Sequence, residues 1–254
     1  MSNKIKPPSL FWTSLEGVRA SLSAAHLLQD RKFLANLDKG DGHTVMVLPG
    51  FMAGDYSTLP IRYFLKQWKY DARAWNLGLN FGLSKRRDLE ALMAKQLKQH
   101  FARTRRKVSL VGWSLGGVFA RELARENPAM VRKVISLGSP IGGNPHGAIT
   151  GGLYELITQT SFADKALQEK IKTASQPVPD IPCTAIYSKT DGIVSWKIAQ
   201  EKESSLAENI EIDSAHCGLG LNAAAMFVLA DRLRQPEGEW QKFDKTQTER
   251  YVYK

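Results

Sequence analysis

The sequence predicts an α/β protein, with a mostly parallel sheet of about six strands and helices on both faces. Two observations lead to this fold class. Short apolar runs, as found in strands buried in parallel sheets, alternate along the chain with segments of helical periodicity. Turn residues bound these runs, as Gly42 and Pro49-Gly50 bound the run 45–48. With 254 residues, 43% of them hydrophobic, the chain can bury a sizeable core, and we expect one domain over residues 1–254.

The first predicted element is a helix over about residues 9–29. Phe11, Leu15, Val18 and Leu22 recur there at helical spacing, and we expect this helix to pack on the body of the domain. Peripheral contact with a membrane surface is the alternative, because the apolar residues at the start of the helix follow two lysines.

Strands and helices then alternate to the end of the domain. The predicted strands are 45–48, 72–75, 108–111, 133–137, 183–187 and a short strand containing Ile210 and Ile212. The predicted helices begin near Ser57, with Leu59, Tyr63 and Phe64 facing inward, and continue with 87–102, 115–126, 198–206 and 222–234. The polar tail, about 235–254, has little periodicity and is expected to wrap the surface or to fray.

The formal net charge of +10 indicates either an ordinary solvated surface or attraction to anionic lipid or nucleic acid. The densest basic clusters, 85–87 and 103–107, contain no interleaved aromatic residues, so we expect no nucleic-acid partner. No apolar run approaches the roughly 18 residues that cross a bilayer, and we recognise no signal peptide. Because Cys183 and Cys217 do not suggest a disulfide framework, we expect a reducing, cytoplasmic location.

The stretch LVGWSLGG, residues 110–117, places Ser114 in a G-x-S-x-G pattern. Such a pattern occurs by chance in roughly one chain of this length in ten, so its context decides its meaning. An apolar strand precedes it and an amphipathic helix follows, which is the setting of a nucleophile elbow. Gly112, Gly116 and Gly117 would leave room where strand and helix meet, whereas a plain tight turn is the alternative.

A serine nucleophile needs a base, and the chain has five histidines. His216 follows the last predicted strand, so we expect it at the carboxyl edge of the sheet, with Ser114. His43 precedes a strand and is expected at the opposite edge, while His146, in the segment 141–181, is the only rival.

The base in turn needs a carboxylate that fixes its tautomer. Asp191 follows the penultimate strand and should reach the same edge. Asp213, three residues before His216, is the competing acid, and we expect it to brace the histidine loop instead.

The oxyanion of an acyl-transfer intermediate needs two backbone donors. One should be the N–H of Leu115, directly after the nucleophile. The other should follow the first strand, where Phe51 is the expected donor and Met52 the alternative; a plain Pro-Gly turn is the structural alternative for this loop.

At this point the chain resembles the α/β-hydrolase superfamily, specifically its lipase/esterase-like members, over roughly residues 43–234. The motifs that carry the resemblance are, in order, LPGFMAG, VSLVGWSLGG, ISLGSPIGG, YSKTDGIV and SAHCGLGLN. The first motif has Pro-Gly where many relatives have His-Gly, which leaves the backbone donor intact. The sheet lacks the first antiparallel strands of larger relatives, so we expect a reduced sheet.

The resemblance implies a catalytic triad of Ser114, Asp191 and His216, with Phe51 and Leu115 as the oxyanion-hole donors. It also implies a small helical cap in the insertion, about 141–181. Apolar side chains are expected to line an acyl pocket there and around the nucleophile. The candidate substrate-binding residues are Met52, Trp113, Leu153, Leu156 and Ile157, although ordinary packing of a covering helix would explain the last three equally well.

The sequence therefore predicts a serine hydrolase that cleaves carboxylic ester bonds through an acyl-enzyme, with no metal or organic cofactor. The expected partner is a small-molecule ester with an apolar acyl group. Thioester hydrolysis or acyl transfer on the same triad is the first alternative. A non-catalytic lipid-binding or scaffold protein on a hydrolase fold is the second.

Overall fold

The computed structural model describes residues 6–82, 88–142 and 175–253. Within these ranges six strands form one sheet in which every neighbouring pair is parallel, in the order β2-β1-β3-β4-β5-β6. The strands β1 to β6 are Thr44–Leu48, Asp71–Arg73, Val108–Trp113, Val131–Leu137, Cys183–Tyr187 and Ala207–Glu211. The predicted six-stranded sheet without leading antiparallel strands is confirmed in the part of the chain that the structure describes.

Six α-helices accompany the strands in the described ranges. Helices α1 to α6 are Leu10–Ser14, Glu16–Ala35, Leu59–Gln67, Leu89–Thr104, Leu115–Glu126 and Ala223–Arg234. Three short 3₁₀ helices cover Asp55–Thr58, Trp196–Ile198 and His216–Leu221. In the same ranges, no helix combines the length and the apolar character needed to cross a membrane.

The inner strands β1, β3, β4 and β5 are buried almost throughout, which explains the apolar runs within them, whereas the edge strand β2 is half-buried. Along β1, Val45 and Val47 join one hydrophobic core with α2, α3 and α6. Met46 and Leu48, which point to the opposite face, join a second core with α4 and α5. The two cores confirm the prediction that helices cover both faces.

The strand order identifies where a ligand is expected to bind. From β1 the chain crosses to β2 on one side and then to β3 on the other, so the order reverses between β1 and β3. In open parallel sheets the crevice outside the carboxyl ends of two such strands is the usual ligand site. The loop after β1 and the residue after β3, Ser114, both lie at this crevice.

The N-terminal region packs on the body of the domain, as predicted, but not through the apolar residues that indicated a helix there. The structure has two helices, α1 and α2, and Phe11, Val18 and Leu22 are exposed by 63%, 61% and 54%. The inward face of α2 instead carries Glu16 at its start and Leu27 farther along. The reason is that the start of α2 packs against polar backbone of two loops, which require hydrogen-bond partners rather than apolar side chains.

Two further local predictions were wrong. Residues 199–206 form no helix, because the side chain of Asn209 hydrogen-bonds both backbone groups of Glu201 and Arg121 holds the Glu201 carboxylate. In α3, Phe64 is buried as predicted. However, Leu59 and Tyr63 are about half exposed, and Ile61 and Leu65 take the inward positions.

The C-terminal tail is packed on the domain along its described part. Phe243 and Tyr253 are buried in the core that contains Phe227 of α6. Arg250 pairs with Asp30 in the C-terminal half of α2. Of the two alternatives for the tail, these contacts favour wrapping of the surface.

Candidate active site

Ser114 lies on a sharply bent backbone between β3 and α5. Its φ of +56° and ψ of −124° are unusual for a residue other than glycine, and such a conformation costs on the order of 1–3 kcal/mol. The N–H of Ser114 donates to the carbonyl of Leu137 at the end of β4, at 2.8 Å, which holds the bend against the sheet. The side chain is partly exposed at the N-terminus of α5. This strained turn between strand and helix distinguishes Ser114 from a residue of an ordinary tight turn, and its role as a nucleophile stays a prediction.

Two glycines of the G-x-S-x-G pattern allow the strand and helix to meet. A Cβ atom on Gly112 would lie 2.3 Å from the Cα of Gly117. A Cβ on Gly116 would lie 2.2 Å from the carbonyl oxygen of Leu48 in β1. Any side chain at either position would therefore push α5 away from the sheet and open the elbow.

Asp191 and His216 are hydrogen bonded to each other at the same edge of the sheet. One carboxylate oxygen of Asp191, Oδ2, lies 2.7 Å from Nδ1 of His216. The other, Oδ1, accepts hydrogen bonds from the N–H groups of Ile193 and Val194 at 2.8 and 2.7 Å, which fixes the orientation of the carboxylate. Because the carboxylate only accepts, Nδ1 carries the proton and Nε2 is left as the basic nitrogen.

Opposing influences act on the pKa of His216. Burial lowers this pKa, but the charge and hydrogen bond of Asp191, together with the charge of Glu16, outweigh burial and raise it above the usual value. The protonated imidazolium is therefore stabilised in the site, as required of a base that must hold a proton during an acyl transfer.

The competing carboxylate, Asp213, is directed away from the imidazole. Its side chain is 83% exposed and accepts hydrogen bonds from Arg19 and from the hydroxyl of Thr190. It braces the histidine loop, as expected from the sequence.

In the described part of the chain, the segments that carry Ser114 and His216 are connected by contacts of neighbouring residues rather than by a direct hydrogen bond between the two side chains. The indole Nε1 of Trp113 donates to the carbonyl of His216 at 3.1 Å. Gly138, directly after β4, lies next to the hydrogen bond between Asp191 and His216. A Cβ there would lie 3.1 Å from Nδ1 of His216 and 3.2 Å from Oδ2 of Asp191. Among the described residues, no hydrogen bond joins the hydroxyl of Ser114 to His216. In enzymes without substrate this bond is often long and tightens when substrate binds.

The loop after β1 lies against the nucleophile. A Cβ on Gly50 would lie 3.1 Å from the Cβ of Ser114. The N–H of Met52 donates to the carbonyl of Asn80 at 2.8 Å. Because this N–H already has an acceptor, Met52 is disfavoured as the alternative oxyanion donor. Leu115 is the first residue of α5, where backbone N–H groups have no acceptor within the helix. The assignment of Phe51 and Leu115 as the two donors stays a prediction.

Asn80 is a residue of the site that sequence reasoning missed. It is fully buried, its side-chain amide donates to the carbonyl of Pro49 at 2.8 Å, and its backbone N–H donates to the carbonyl of Ala53 at 2.9 Å. With the bond from Met52, three hydrogen bonds fix the shape of the loop after β1. The only sequence signal was an asparagine between turn-forming glycines, which does not point to a partner about 30 residues away.

The candidate substrate-binding residues have different outcomes. Met52 is half exposed on the loop beside Ser114, with a φ of +57°. The ring of Trp113 packs under the histidine loop against Gly220, so its observed contacts support His216. Leu153, Leu156 and Ile157, the rival base His146 and most of the expected cap lie outside the described residues. Across residues 6–82, 88–142 and 175–253, no group of three His, Cys, Asp or Glu side chains is placed to hold a metal ion.

Solved structures with the same architecture are found at low sequence identity. A lipase B from Aspergillus fumigatus is 17% identical with a TM-score of 0.59; the match covers 82% of this chain and 55% of the lipase. An α/β hydrolase from a lagoon-sediment metagenome of Mar Chica, Morocco, is 19% identical with a TM-score of 0.54, over 77% of this chain and 92% of that one. A thioesterase domain from the curacin biosynthetic pathway is 11% identical with a TM-score of 0.53, over 77% and 92%.

These similarities show that the chain has the α/β-hydrolase fold, as its sequence motifs predict. The chain spans about half the length of the fungal lipase but nearly the full length of the other two proteins. No family model matches the sequence, and no curated protein matches it.

Proposed function

We propose that the protein is a serine hydrolase that cleaves carboxylic esters with Ser114 as nucleophile, His216 as base and Asp191 as the partner of the base. One observation carries the proposal: a strained, partly exposed serine at a helix N-terminus shares a sheet edge with a buried, hydrogen-bonded Asp–His pair. Structural similarity to a lipase and to another α/β hydrolase supports the class of reaction.

The reaction proceeds through an acyl-enzyme. His216 takes the proton of the Ser114 hydroxyl through Nε2, and Ser114 Oγ attacks the ester carbonyl. The N–H groups of Phe51 and Leu115 hold the oxyanion of the tetrahedral intermediate. His216 then protonates the leaving alcohol, and the same histidine activates the water that releases the acid and restores the serine. Asp191 stabilises the imidazolium in both halves and keeps Nε2 directed at the reacting atoms.

The substrate we expect is a small ester with an apolar acyl group. The half-exposed side chain of Met52, on the loop whose Gly50 lies against Ser114, supplies apolar surface for such a group.

The proposal is tested by covalent labelling and turnover. We expect a fluorophosphonate to label Ser114 of the purified protein and short-chain aryl esters to be hydrolysed. Ser114→Ala should abolish labelling and reduce kcat about 10⁴-fold or more. Ser109→Ala is the matched control, because Ser109 lies in β3, the strand that leads to Ser114, and is fully buried; this variant should keep both activities.

The substrate panel separates the alternatives. Thioesters of the same acyl groups are included because one structural relative is a thioesterase domain. Turnover of thioesters with no turnover of esters would overturn the ester assignment. A well-folded protein that takes no label at Ser114 and hydrolyses neither class would contradict the proposed nucleophile.

A further inference from the structure

Glu16, the first residue of α2, is a buried carboxylate that the mechanism above does not use. The residue is 7% exposed, and both of its oxygens accept hydrogen bonds from distant backbone. Oε1 accepts from the N–H groups of Gly192 at 2.8 Å and His216 at 2.9 Å, and Oε2 accepts from Cys217 at 2.9 Å. Burying a carboxylate is costly unless it is hydrogen bonded, and here three donors offset the cost.

We propose that Glu16 is a positioning residue, whose carboxylate ties the loop carrying Asp191 to the 3₁₀ helix that begins at His216. The proposal deepens the proposed function and rests on it, since the pair that Glu16 would position is the base and its carboxylate partner.

The three donors lie on both sides of the Asp191–His216 hydrogen bond. Gly192 directly follows Asp191 in the chain, and the other two donors are His216 itself and the next residue. His216 opens the 3₁₀ helix His216–Leu221, whose first N–H groups have no acceptor within the helix, so Glu16 supplies one. One carboxylate therefore binds the backbone on both sides of the Asp191–His216 bond, in addition to the hydrogen bonds that Ser188 and Thr190 make with the segment before His216.

Arg19, one turn farther along α2, makes a second connection between the same two segments. Its guanidinium donates to the carbonyl and the hydroxyl of Thr190, each at 2.6 Å, and to the carboxylate of Asp213 at 2.7 Å. Thr190 directly precedes Asp191, and Asp213 lies three residues before His216. The N-terminal helix thus holds each segment at two points.

Glycines in both segments allow this close approach. A Cβ on Gly192 would lie 2.6 Å from the backbone carbonyl carbon of Trp12 at the preceding helix α1. A Cβ on Gly218 would lie 2.9 Å from the hydroxyl of Ser23 in α2. The contact between the N-terminal helices and the two loops is therefore one of closely packed backbone, not a loose surface contact.

The negative charge of Glu16 also acts on the imidazole. In the described part of the chain, the charged groups that raise the pKa of His216 are Asp191, which faces Nδ1, and Glu16, which lies at its backbone N–H. Removing the charge at Glu16 should consequently lower this pKa, whereas a residue that only stabilises the fold would leave it unchanged.

The test compares three variants with the intact chain. Glu16→Gln keeps the shape but removes the charge and replaces one accepting oxygen by an NH2 group, and Glu16→Ala removes both accepting oxygens and with them all three hydrogen bonds. Asp30→Asn is the matched control, because Asp30 is a carboxylate on the same helix that pairs instead with Arg250 and Tyr251 in the tail. We measure the pKa of His216 by NMR titration of its ring, amide exchange at its loop, and kcat and KM on the ester turned over best.

We expect kcat to fall about tenfold in Glu16→Gln and about 100-fold in Glu16→Ala, with little change in KM, since a small misplacement of catalytic groups has effects of this size. The pKa of His216 should fall in Glu16→Gln, which moves the acidic limb of the kcat/KM profile to lower pH. Asp30→Asn should lower only Tm. If Glu16→Ala does not fold, Glu16→Gln and the control decide alone.

The proposal would be overturned if the Glu16 variants had the same His216 pKa, the same amide exchange in the His216 loop and the same kcat as Asp30→Asn. Glu16 would then be a purely structural residue. If the wild-type protein hydrolyses no ester or thioester and Ser114 takes no label, the proposed function fails. In that case the titration of the His216 ring and the amide exchange of its loop still decide whether Glu16 positions Asp191 and His216 relative to each other.

Discussion

In the part of the protein that the structure describes, two groups of neighbouring Ser, His and Asp side chains, which we call the carboxyl-edge chain and the amino-edge chain, lie at opposite edges of the sheet. At the carboxyl edge are Ser114 and the bonded pair Asp191–His216. At the amino edge Asp41 lies 2.5 Å from Nδ1 of His43, whose Nε2 lies 2.7 Å from the hydroxyl of Ser109. By hydrogen bonds alone, the amino-edge chain is the more complete of the two.

The difference between them lies in access and charge. His43 and Ser109 are fully buried within the sheet, whereas Ser114 is partly exposed on a bent backbone. Burial and the nearby charge of Arg132 lower the pKa of His43 to about 4, while Asp191 and Glu16 raise that of His216 against the effect of burial. Residue types and hydrogen bonds alone therefore do not distinguish the two chains. The accessible serine and the anionic groups around His216 are the features on which the proposed assignment of the carboxyl-edge chain as the catalytic one rests.

The largest expected contrast comes from the two aspartates. Asp191→Asn should reduce kcat about 10⁴-fold, because an amide at this position favours the wrong tautomer of the histidine. Asp41→Asn should leave kcat within about twofold and lower Tm, because Asp41 holds His43 and Arg132 in the fold. Steady-state kinetics with a thermal melt on each variant measures both effects. Equal loss of kcat in the two variants would remove the distinction between the edges.

A smaller loss of kcat is expected from substitution of Asn80. In the described residues, no buried amide plays the same part beside the amino-edge chain. Asn80→Ala releases the carbonyl of Pro49 and should loosen the loop that presents the N–H of Phe51, with kcat falling about 100-fold. Asn127→Ala, at the amino-edge end of α5, removes a comparable amide hydrogen bond and should leave kcat unchanged. A wild-type kcat in Asn80→Ala would show that this loop keeps its shape without the buried amide.

The smallest effect is a difference in how the two histidines respond to pH. Because the pKa of His43 is about 4 in the fold and about 6.5 when unfolded, the unfolded state binds more protons between these values. The free energy of unfolding should therefore fall as pH drops from 6.5 towards 4, by about 2 kcal/mol at pH 5. His216, whose pKa is raised, acts in the opposite direction: its contribution is present below pH 6.5 and is lost as pH rises through its folded pKa.

Urea unfolding of the wild type and His43→Gln between pH 7 and 5 isolates the first contribution. The variant should be less stable at pH 7 but lose less stability on acidification. Parallel curves for the two proteins would mean that His43 does not carry the pH dependence.

Much of the candidate site was predictable from local sequence. The helix 115–126 and the strand 183–187 have the predicted bounds, and the other strands differ by a few residues. Apolar runs and turn residues define such elements over short windows, and parallel strands then bring their following loops to one edge. The same logic correctly separated His43 from His216, because one precedes a strand and the other follows one.

Prediction failed where a polar group takes its partner from far along the chain. The predicted helix 198–206 does not form, because Glu201 makes hydrogen bonds with Asn209 and Arg121 instead. The periodicity of the segment 198–206 gives no information about either partner. The buried face of α2 does not follow its apolar spacing for the same reason, since that spacing runs through Val18 and Leu22 while the packed loops required an acceptor at Glu16.

The sequence by itself determined the order of elements, the elbow at Ser114 and the edge at which Asp191 and His216 meet, because these follow from patterns spanning a few residues and from the rules of parallel sheets. Only the tertiary structure decided which backbone groups needed a buried partner. The bonds of Glu16 cross 176 to 201 residues of chain, and those of Asn80 to Pro49 cross 31. Buried N–H and carbonyl groups must be satisfied, but the identity of the side chain that satisfies them depends on which surfaces the fold brings together.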